Sequence, residues 1–480
     1  MAYTITGRTQ MKMLPPVIDD YVSLHDPVRV YDAFVEALDF RKLGISLEPK
    51  AGADEYYPKD MLKLFIYGYS YGVRSSRKLE QACHHNLSFI WLMGDLKPDY
   101  RTIARFRDRH KEQIKTVLKQ SVELCMKMDL IEGNVLFTDG SKIRANASIQ
   151  NTWTKERCQK ALERIHQQID ELMETSERLD QEEEQEASLI KLKKKVHDKE
   201  QFIEQIKETM RQLETSSKDS INTVDPDCVR THGRQGSHAG YNAQITVDDK
   251  HGLIVAAESL SHSNDLNQLS ASVTAASDNL GKKPAVSCSD AGYHSIEDLQ
   301  KIDPQITVIV PTKTQAHNEK YPENDKPFAK EHFKYDPSTD QYTCPEGKIL
   351  KRTTQNPGGH GRRWYEYKTG SRDCRPCRHF GVCTSSPTGR SINRQVDELF
   401  KEQLETIYKS PMGQEIYKRR KEKVELPFGH LKRNLNAGQF LLRGKAGTNA
   451  ELSILATCFN IARMITIMGI PQLLLHLRGT

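Results

Sequence analysis

Three carboxylates in distinctive settings carry most of the chemical information in this chain. Asp139 follows a short apolar run in Val-Leu-Phe-Thr-Asp-Gly-Ser-Lys, and Asp290 closes another in Ala-Val-Ser-Cys-Ser-Asp-Ala-Gly-Tyr-His-Ser. Glu425 lies in the basic stretch Tyr-Lys-Arg-Arg-Lys-Glu-Lys-Val-Glu-Leu-Pro-Phe-Gly-His-Leu-Lys-Arg-Asn. An acidic side chain at the tip of a buried strand is costly to leave unpaired, so it normally serves a metal, a donor or a reaction. Hard divalent cations favour carboxylate oxygens, and pairs of them drive phosphate chemistry. Two strand-tip aspartates and a glutamate set among cations therefore point to divalent metals acting on nucleic acid.

The elements that must position these acids are spread over 480 residues, too many for one compact core. With 37% hydrophobic and 28% charged residues, the composition is that of a soluble protein. The net charge of +6 understates local basicity, because acids concentrate between Asp170 and Glu186 while Tyr417 to Lys445 holds nine Lys or Arg against two Glu. Clustered cations of that kind suit a phosphate backbone. The N-terminus Met-Ala-Tyr-Thr-Ile-Thr-Gly-Arg lacks the apolar core of a secretory signal. The most apolar stretch, Leu452 to Leu477, is interrupted by Asn460, Arg463 and Pro471 and reads as a core helix, with no membrane partner expected. Ten cysteines, scattered apart from one cluster, suggest reduced thiols in the cytoplasm plus one metal site.

Residues 1–130 read as a helical domain. Pro58 opens a periodic apolar run, Ser75 is placed to cap a helix, and Thr102 to Met128 repeats apolar residues at helical spacing. Arg101, Arg105, Arg107, Arg109 and Lys111 fall on the polar side of that last run, a face suited to DNA. Within 150–222, two heptad runs flank the acidic segment Asp180 to Glu186. One runs from Leu162 through Leu179, and the other from Leu189 through Leu213 with Lys199 as its flaw. They predict an inserted antiparallel coiled-coil hairpin, with one continuous dimerising helix as the alternative. Strands are expected at the Asp139 segment, at Tyr241–Val247, Leu253–Ala257, Ala285–Ser289 and Ile306–Val310, with a helix over Asp265–Leu280. That order, β-β-β-α-β-α-β and then a C-terminal helix, is the one expected of an α/β, RNase H-like core with a mixed sheet, spanning 131–480.

A second insertion, 313–394, carries Cys344, Cys374, Cys377 and Cys383 in a segment that reads as loop-rich and too small for its own core. Four thiols suffice for a structural Zn2+ site, with His360 or His379 as possible substitutes. His262 and Asp265 are candidate caps for the following helix. His294 is a candidate proton-transfer group, although a packing role is the commoner one. His430 is expected one turn off the reactive face. Asn242 and Gln244 are candidates for contact with DNA or water, or for packing on the sheet face.

In this order the motifs resemble the DDE transposases of bacterial insertion sequences over nearly the whole chain. Arg77-Lys-Leu-Glu80 through Pro98-Asp-Tyr-Arg-Thr-Ile-Ala-Arg-Phe-Arg107 resembles their N-terminal domain. Thr138-Asp-Gly-Ser-Lys-Ile-Arg-Ala-Asn-Ala-Ser148 resembles the first-aspartate motif, Gly240-Tyr-Asn-Ala-Gln244 the strand after it, and Asp290-Ala-Gly-Tyr293 the second. The third element, a Tyr, Arg, Glu, Lys signature, reads Tyr417, Arg420, Glu425 and Lys432. Four residues separate Arg420 from Glu425 where three are commonest, so Lys421 competes for the arginine's role.

The resemblance implies a Mg2+-dependent enzyme, Mn2+ substituting, that cleaves transposon ends and joins the 3′-hydroxyl to target DNA. Two ions about 3.5–4 Å apart would be held by Asp139, Asp290 and Glu425, with Asp139 bridging. Arg420 or Lys421, together with Lys432, would clamp phosphate, and Tyr417 would orient it. Arg105 and Arg109 would contact DNA. The expected partners are terminal inverted repeats, target DNA and a second copy in a dimer, in the nucleoid-associated cytoplasm.

Overall fold

The computed structural model describes residues 17–48, 55–180, 186–215, 220–233, 236–320, 327–357 and 363–479. They fall into two compact units. The first comprises the described residues of Met1–Asp265, Ala271–Pro284 and Lys421–Thr480, and the second those of Leu266–Ser270 and Ala285–Arg420.

The first unit opens with a run of helices that includes α1 (Val28–Glu36), α2 (Pro58–Ser70), α3 (Ser76–His85), α4 (Tyr100–Arg109), α5 (Lys111–Lys115) and α6 (Val117–Lys127). Pro58 takes the first turn of α2, where its missing N–H costs nothing. Ser75 Oγ accepts from Lys78 N and Asp99 Oδ1 from Thr102 N, capping α3 and α4. The periodic stretch from Thr102 to Met128 is broken at His110 and Thr116 into three helices. The second break has a partner waiting. Ser453 Oγ, on the long helix α11 (Gly444–Met468), donates to the Ile114 and Lys115 carbonyls and accepts from Leu118 N.

Helix α11 is long and apolar enough to cross a membrane by length and composition alone. In this fold it is the central core helix, and its polar side chains read the backbone of a strand. Asn460 exchanges two 2.8 Å hydrogen bonds with the amide and carbonyl of Ile254, and Asn449 Oδ1 accepts from Ser259 N at 2.7 Å. That strand is β4 (Ile254–Leu260), preceded by β1 (Val135–Arg144), β2 (Val229–Gly233) and β3 (Gly236–Asp248). All pairings here are antiparallel, with β3 taking β1, β2 and β4 as neighbours and Asp139 standing opposite Ile245. Between β1 and β2 come α7 (Lys155–Asp180) and α8 (Glu186–Thr215), which share a buried stripe of Cys158, Ile165, Ile203, Ile206 and Leu213. Lys199, the flaw in the second heptad run, is satisfied by Gln168 Oε1 at 2.5 Å. Residues 181–185 of the expected acidic turn lie outside the described residues.

In the second unit, β5 (Val286–Cys288) and β6 (Thr307–Ile309) pair in parallel. The helix before them, α9 (Leu269–Leu280), is not capped by His262 or Asp265. Its first amides, Leu269 N and Ser270 N, both donate to Asp298 Oδ2, and Asp265 is occupied elsewhere.

The cysteine-bearing insertion also departs from expectation. It is a five-stranded antiparallel sheet of β7 (Lys334–Asp336), β8 (Gln341–Thr343), β9 (Ile349–Pro357), β10 (Arg363–Lys368) and β11 (Ser391–Gln395), in the order β11-β10-β9-β8-β7. It has a core of its own, made of Phe333, Tyr342, Leu350, Tyr367 and Ile392. Turn residues between very short strands make the segment look like loop. The tyrosines carry the packing instead, with Asp340 accepting from Tyr335 and Tyr367 and the Arg394 guanidinium 3.7 Å over the Tyr335 ring.

One buried ion pair ties the first unit together. Arg74 Nη2 meets Glu451 Oε1 at 2.6 Å, with side chains 4% and 0% exposed. Removing one member of such a pair leaves an unmatched buried charge, at a cost of about 3–5 kcal/mol. Arg74→Ala should therefore lower the thermal midpoint sharply. The double variant Arg74→Met/Glu451→Leu should recover part of the loss, and equal melting of the single variant and the wild type would contradict this account.

Candidate active site

Asp139 is half-buried on β1, and its Oδ1 accepts from Gly140 N at 2.8 Å. Next to it, Gly140 has no room for a side chain, because a Cβ would overlap Asp265 Oδ1 and Gln244 Nε2. Asp265 Oδ1 accepts from Asn242 Nδ2 and Gln244 Nε2, both at 2.7 Å, and lies 3.8 Å from Lys142 Nζ. Asn242 and Gln244 are thus buried in a polar brace of the sheet face. Burial holds the Lys142 ammonium below the ordinary lysine range, opposed by the charges of Asp265 and Asp139.

The second half of helix α10 (Pro411–Arg433) runs beside β1 in the same direction, fastened at successive points. Lys423 Nζ donates to the Asp249 carbonyl, and Asp249 N donates to Val135 O at the start of β1. Lys432 Nζ donates to Ser141 Oγ at 2.5 Å, two residues beyond Asp139. Beyond the helix, Phe440 N reaches Arg144 O at 2.8 Å. Glu425 precedes Lys432 by seven residues, close to two helical turns, so the two stand on nearly one meridian of α10. Val424, Phe428 and Leu431 bury the adjacent face, while the Glu425 side chain is 65% exposed. Its contact with Lys421 Nζ, 3.9 Å away and also exposed, is worth little. Burial, and then the charge of Lys142, lowers the pKa of Lys432.

In the second unit, Asp290 follows β5 and caps a short 3-10 turn, accepting from Gly292 N at 2.8 Å. Burial pushes the thiol of Cys288, two residues earlier, up to about 12, and the charges of Arg420 and Arg419 oppose that rise. Both guanidiniums therefore stand near the Asp290 end of β5. Arg420 also lies 5.5 Å over the Tyr417 ring, and Tyr417 packs edge-on against Tyr408. Arg420 thus stands near β5, whereas Lys421 is exposed beside Glu425. Arg419 went unnoticed in the sequence because a run of four consecutive cations gives no sign of which faces inward.

The remaining candidates sort clearly. Burial depresses the His294 pKa, and its Nε2 is buried without a hydrogen bond, which favours the packing role. His430 packs its ring on Phe459. Arg105 is exposed, Arg109 pairs with Glu55 at 2.8 Å, and Arg107 is structural, donating to Tyr69 Oη and the Arg74 carbonyl. The thiols of Cys344, Cys374 and Cys377 all bear electrostatically on Cys383, whose pKa is raised first by burial and then, against Arg390, by those thiols. Among the described residues, no three His, Cys, Asp or Glu side chains are grouped closely enough to hold a metal ion, and His360 lies outside them.

Two comparisons bear on identity. Residues 16–109 match the family described as Transposase domain (DUF772), and residues 343–465 match Transposase DDE domain. No curated protein and no solved structure matches the chain. With the mixed α/β architecture, these two segment matches indicate a DNA transposase and support the resemblance to the DDE transposases of insertion sequences. The second match contains Glu425 and all of α10, while Asp139 and Asp290 lie before it.

The brace at Gly140 makes a sharp contrast with Gly429, whose added Cβ would meet nothing within 4 Å. Gly140→Ala should cost about 1–3 kcal/mol of stability. Gly429→Ala, in a helix, should be neutral or stabilising by up to about 1 kcal/mol. Denaturant titrations of both variants check this.

Proposed function

We propose that Asp139, Asp290 and Glu425 are the metal-binding carboxylates of a two-metal centre that cleaves transposon ends and transfers the freed 3′-hydroxyl to target DNA. The observation that carries this is the fastening of α10 along β1, which sets Glu425 and Lys432 on one helical meridian beside the strand bearing Asp139. Mg2+, or Mn2+ in its place, would activate the attacking oxygen and neutralise the leaving one. Lys432 holds a cation beside Ser141, where it attracts phosphate. Arg420 is the better phosphate clamp than Lys421, because its planar guanidinium is braced by Tyr417. Tyr417 positions that guanidinium. Arg105 and Arg109 supply backbone contacts from the N-terminal helices, over which inverted repeats would be gripped. The paired helices α7 and α8 are the expected coiled hairpin that assembles two copies on DNA in the cytoplasm.

Asp139→Asn, Asp290→Asn and Glu425→Gln should each abolish strand cleavage and joining while leaving end binding within about twofold. Arg420→Ala should cost more activity than Lys421→Ala. Wild-type joining by any of the three amide variants would overturn the assignment.

We also propose that the inserted sheet binds structural Zn2+ through Cys344, Cys374, Cys377 and Cys383, which bear on one another electrostatically but would have to draw closer together to hold the ion. Two backbone amides already point at sulfur, Lys348 N at Cys344 Sγ (3.3 Å) and Arg390 N at Cys374 Sγ (3.4 Å), a donor pattern that favours thiolate. Purified protein should contain about one zinc per chain, lost in Cys377→Ser. Metal-free protein with all four thiols freely alkylated would refute the site.

A further inference from the structure

Outside the proposed centre, the base of the α7–α8 pair carries a groove lined by Trp153, Arg157, Lys160, Arg164, Lys199 and Phe202. Glu156 and Asp198 are its only carboxylates, leaving four cations against two acids. Arg157, Lys160 and Arg164 occupy one face of α7 at three- and four-residue spacing, and all three are exposed. Arg157 is pre-set, since its Nη1 donates to the Thr152 carbonyl at 2.7 Å and its guanidinium lies 4.6 Å over the Trp153 ring. Trp153 in turn meets Phe202 edge-on at 6.0 Å, so the floor is a fixed aromatic pair rather than mobile chain. Among the described residues, Lys160 and Arg164 have no ion pair that would neutralise them.

We propose that this face is a second DNA-backbone contact, separate from the carboxylate centre and from the N-terminal helices. The inference rests on the reading of the chain as an enzyme acting on DNA. Its dimensions suit the ligand. Arg157 to Arg164 spans about 10.5 Å of helix, and one DNA strand presents a phosphate about every 3.4 Å along the axis, so the row can face about three phosphates. The aromatic floor offers apolar surface to the sugars between them.

The test is fluorescence anisotropy of full-length protein with a labelled duplex of arbitrary sequence, titrated over a salt series. Lys160→Glu/Arg164→Glu should weaken binding at least tenfold and reduce the slope of log affinity against log salt by about two, since each lost phosphate contact removes about 0.9. Lys160→Arg/Arg164→Lys should restore both. Unchanged affinity and slope in the charge-reversed protein, with wild type binding normally, would overturn the proposal and leave the transposase reading intact. So would unchanged DNA binding with a loss of dimer on gel filtration, which would assign the face to a second copy of the chain. Failure of wild type to bind any duplex would instead strike at the transposase reading itself. Equal melting temperatures of the two double variants exclude misfolding as the cause of a loss.

Discussion

The Arg74 guanidinium, buried against Glu451, does more than pair charges. It also donates to the carbonyls of Asn436 and Gln439, while Glu451 Oε2 accepts from the amides of Leu441 and Leu442. One ion pair thus dictates the path of the chain from Asn436 to Leu442, satisfying backbone groups that would otherwise be stranded away from water. That path decides the end of β1, because Arg144 exchanges hydrogen bonds with Gly438 O and Phe440 N. The end of β1 and the end of α10 are therefore fixed by the same loop, and with them the placement of Lys432 beside Ser141. A pair of well-packed apolar residues would recover only part of the stability, because it supplies none of these directional contacts. That is a physical reason for the charges to be there.

Burial alone does not identify a catalytic acid in this protein. Asp248 is fully buried and accepts from the amides of Glu132, Gly133 and Lys250. Asp225, 1% exposed, takes the Tyr241 hydroxyl and the amide of Gly444 at the start of α11. Asp265 braces Gly140, Asn242 and Gln244. Each of these accepts from groups distant in the chain and holds strands or helix ends together, although Asp225 does so through Oδ1 alone. Asp139 and Asp290, by contrast, are half-buried and accept from an amide one or two residues on, and Glu425 is exposed.

Much of this was legible in the sequence. The strand order around Asp139 and Asp290, the caps at Ser75 and Pro58, and the core character of the apolar C-terminal helix follow from period and local chemistry. What could not be read were features set by distant partners. The break at Thr116 depends on Ser453, more than three hundred positions away, and the cap of α9 comes from Asp298 rather than from the adjacent Asp265. The inserted sheet was missed because two of its five strands have only three residues and the nine-residue β9, Ile-Leu-Lys-Arg-Thr-Thr-Gln-Asn-Pro, is polar after its first two positions, which leaves little alternation to detect. Which way Arg420 and Lys421 face could not be read either, since a helix signature spaced by one extra residue rotates the candidate cation about 100° and spacing alone cannot say toward what.

The same reasoning explains how so long an insertion sits between β1 and β3 without disturbing their register. Helices α7 and α8 leave and rejoin through a two-residue ladder, Thr152–Trp153 with Ile221–Asn222, closed by a bond from Thr223 N to Asn151 O. Asn222 locks that gate. Its Nδ2 donates to the Ser148 carbonyl and Thr152 Oγ1, and its Oδ1 accepts from Val224 N and Asp225 N. Because loop-closure entropy grows only slowly with length, once the two ends are pinned the length between them matters little to the core. A pinned base also makes the pair of helices a directed arm rather than a tether, so groups at its foot, Trp153 and Arg157 among them, keep a fixed attitude to β1. A surface held in that way can add to the grip on a long, stiff ligand, whereas the same cations on a free loop would forfeit the gain to the entropy of ordering.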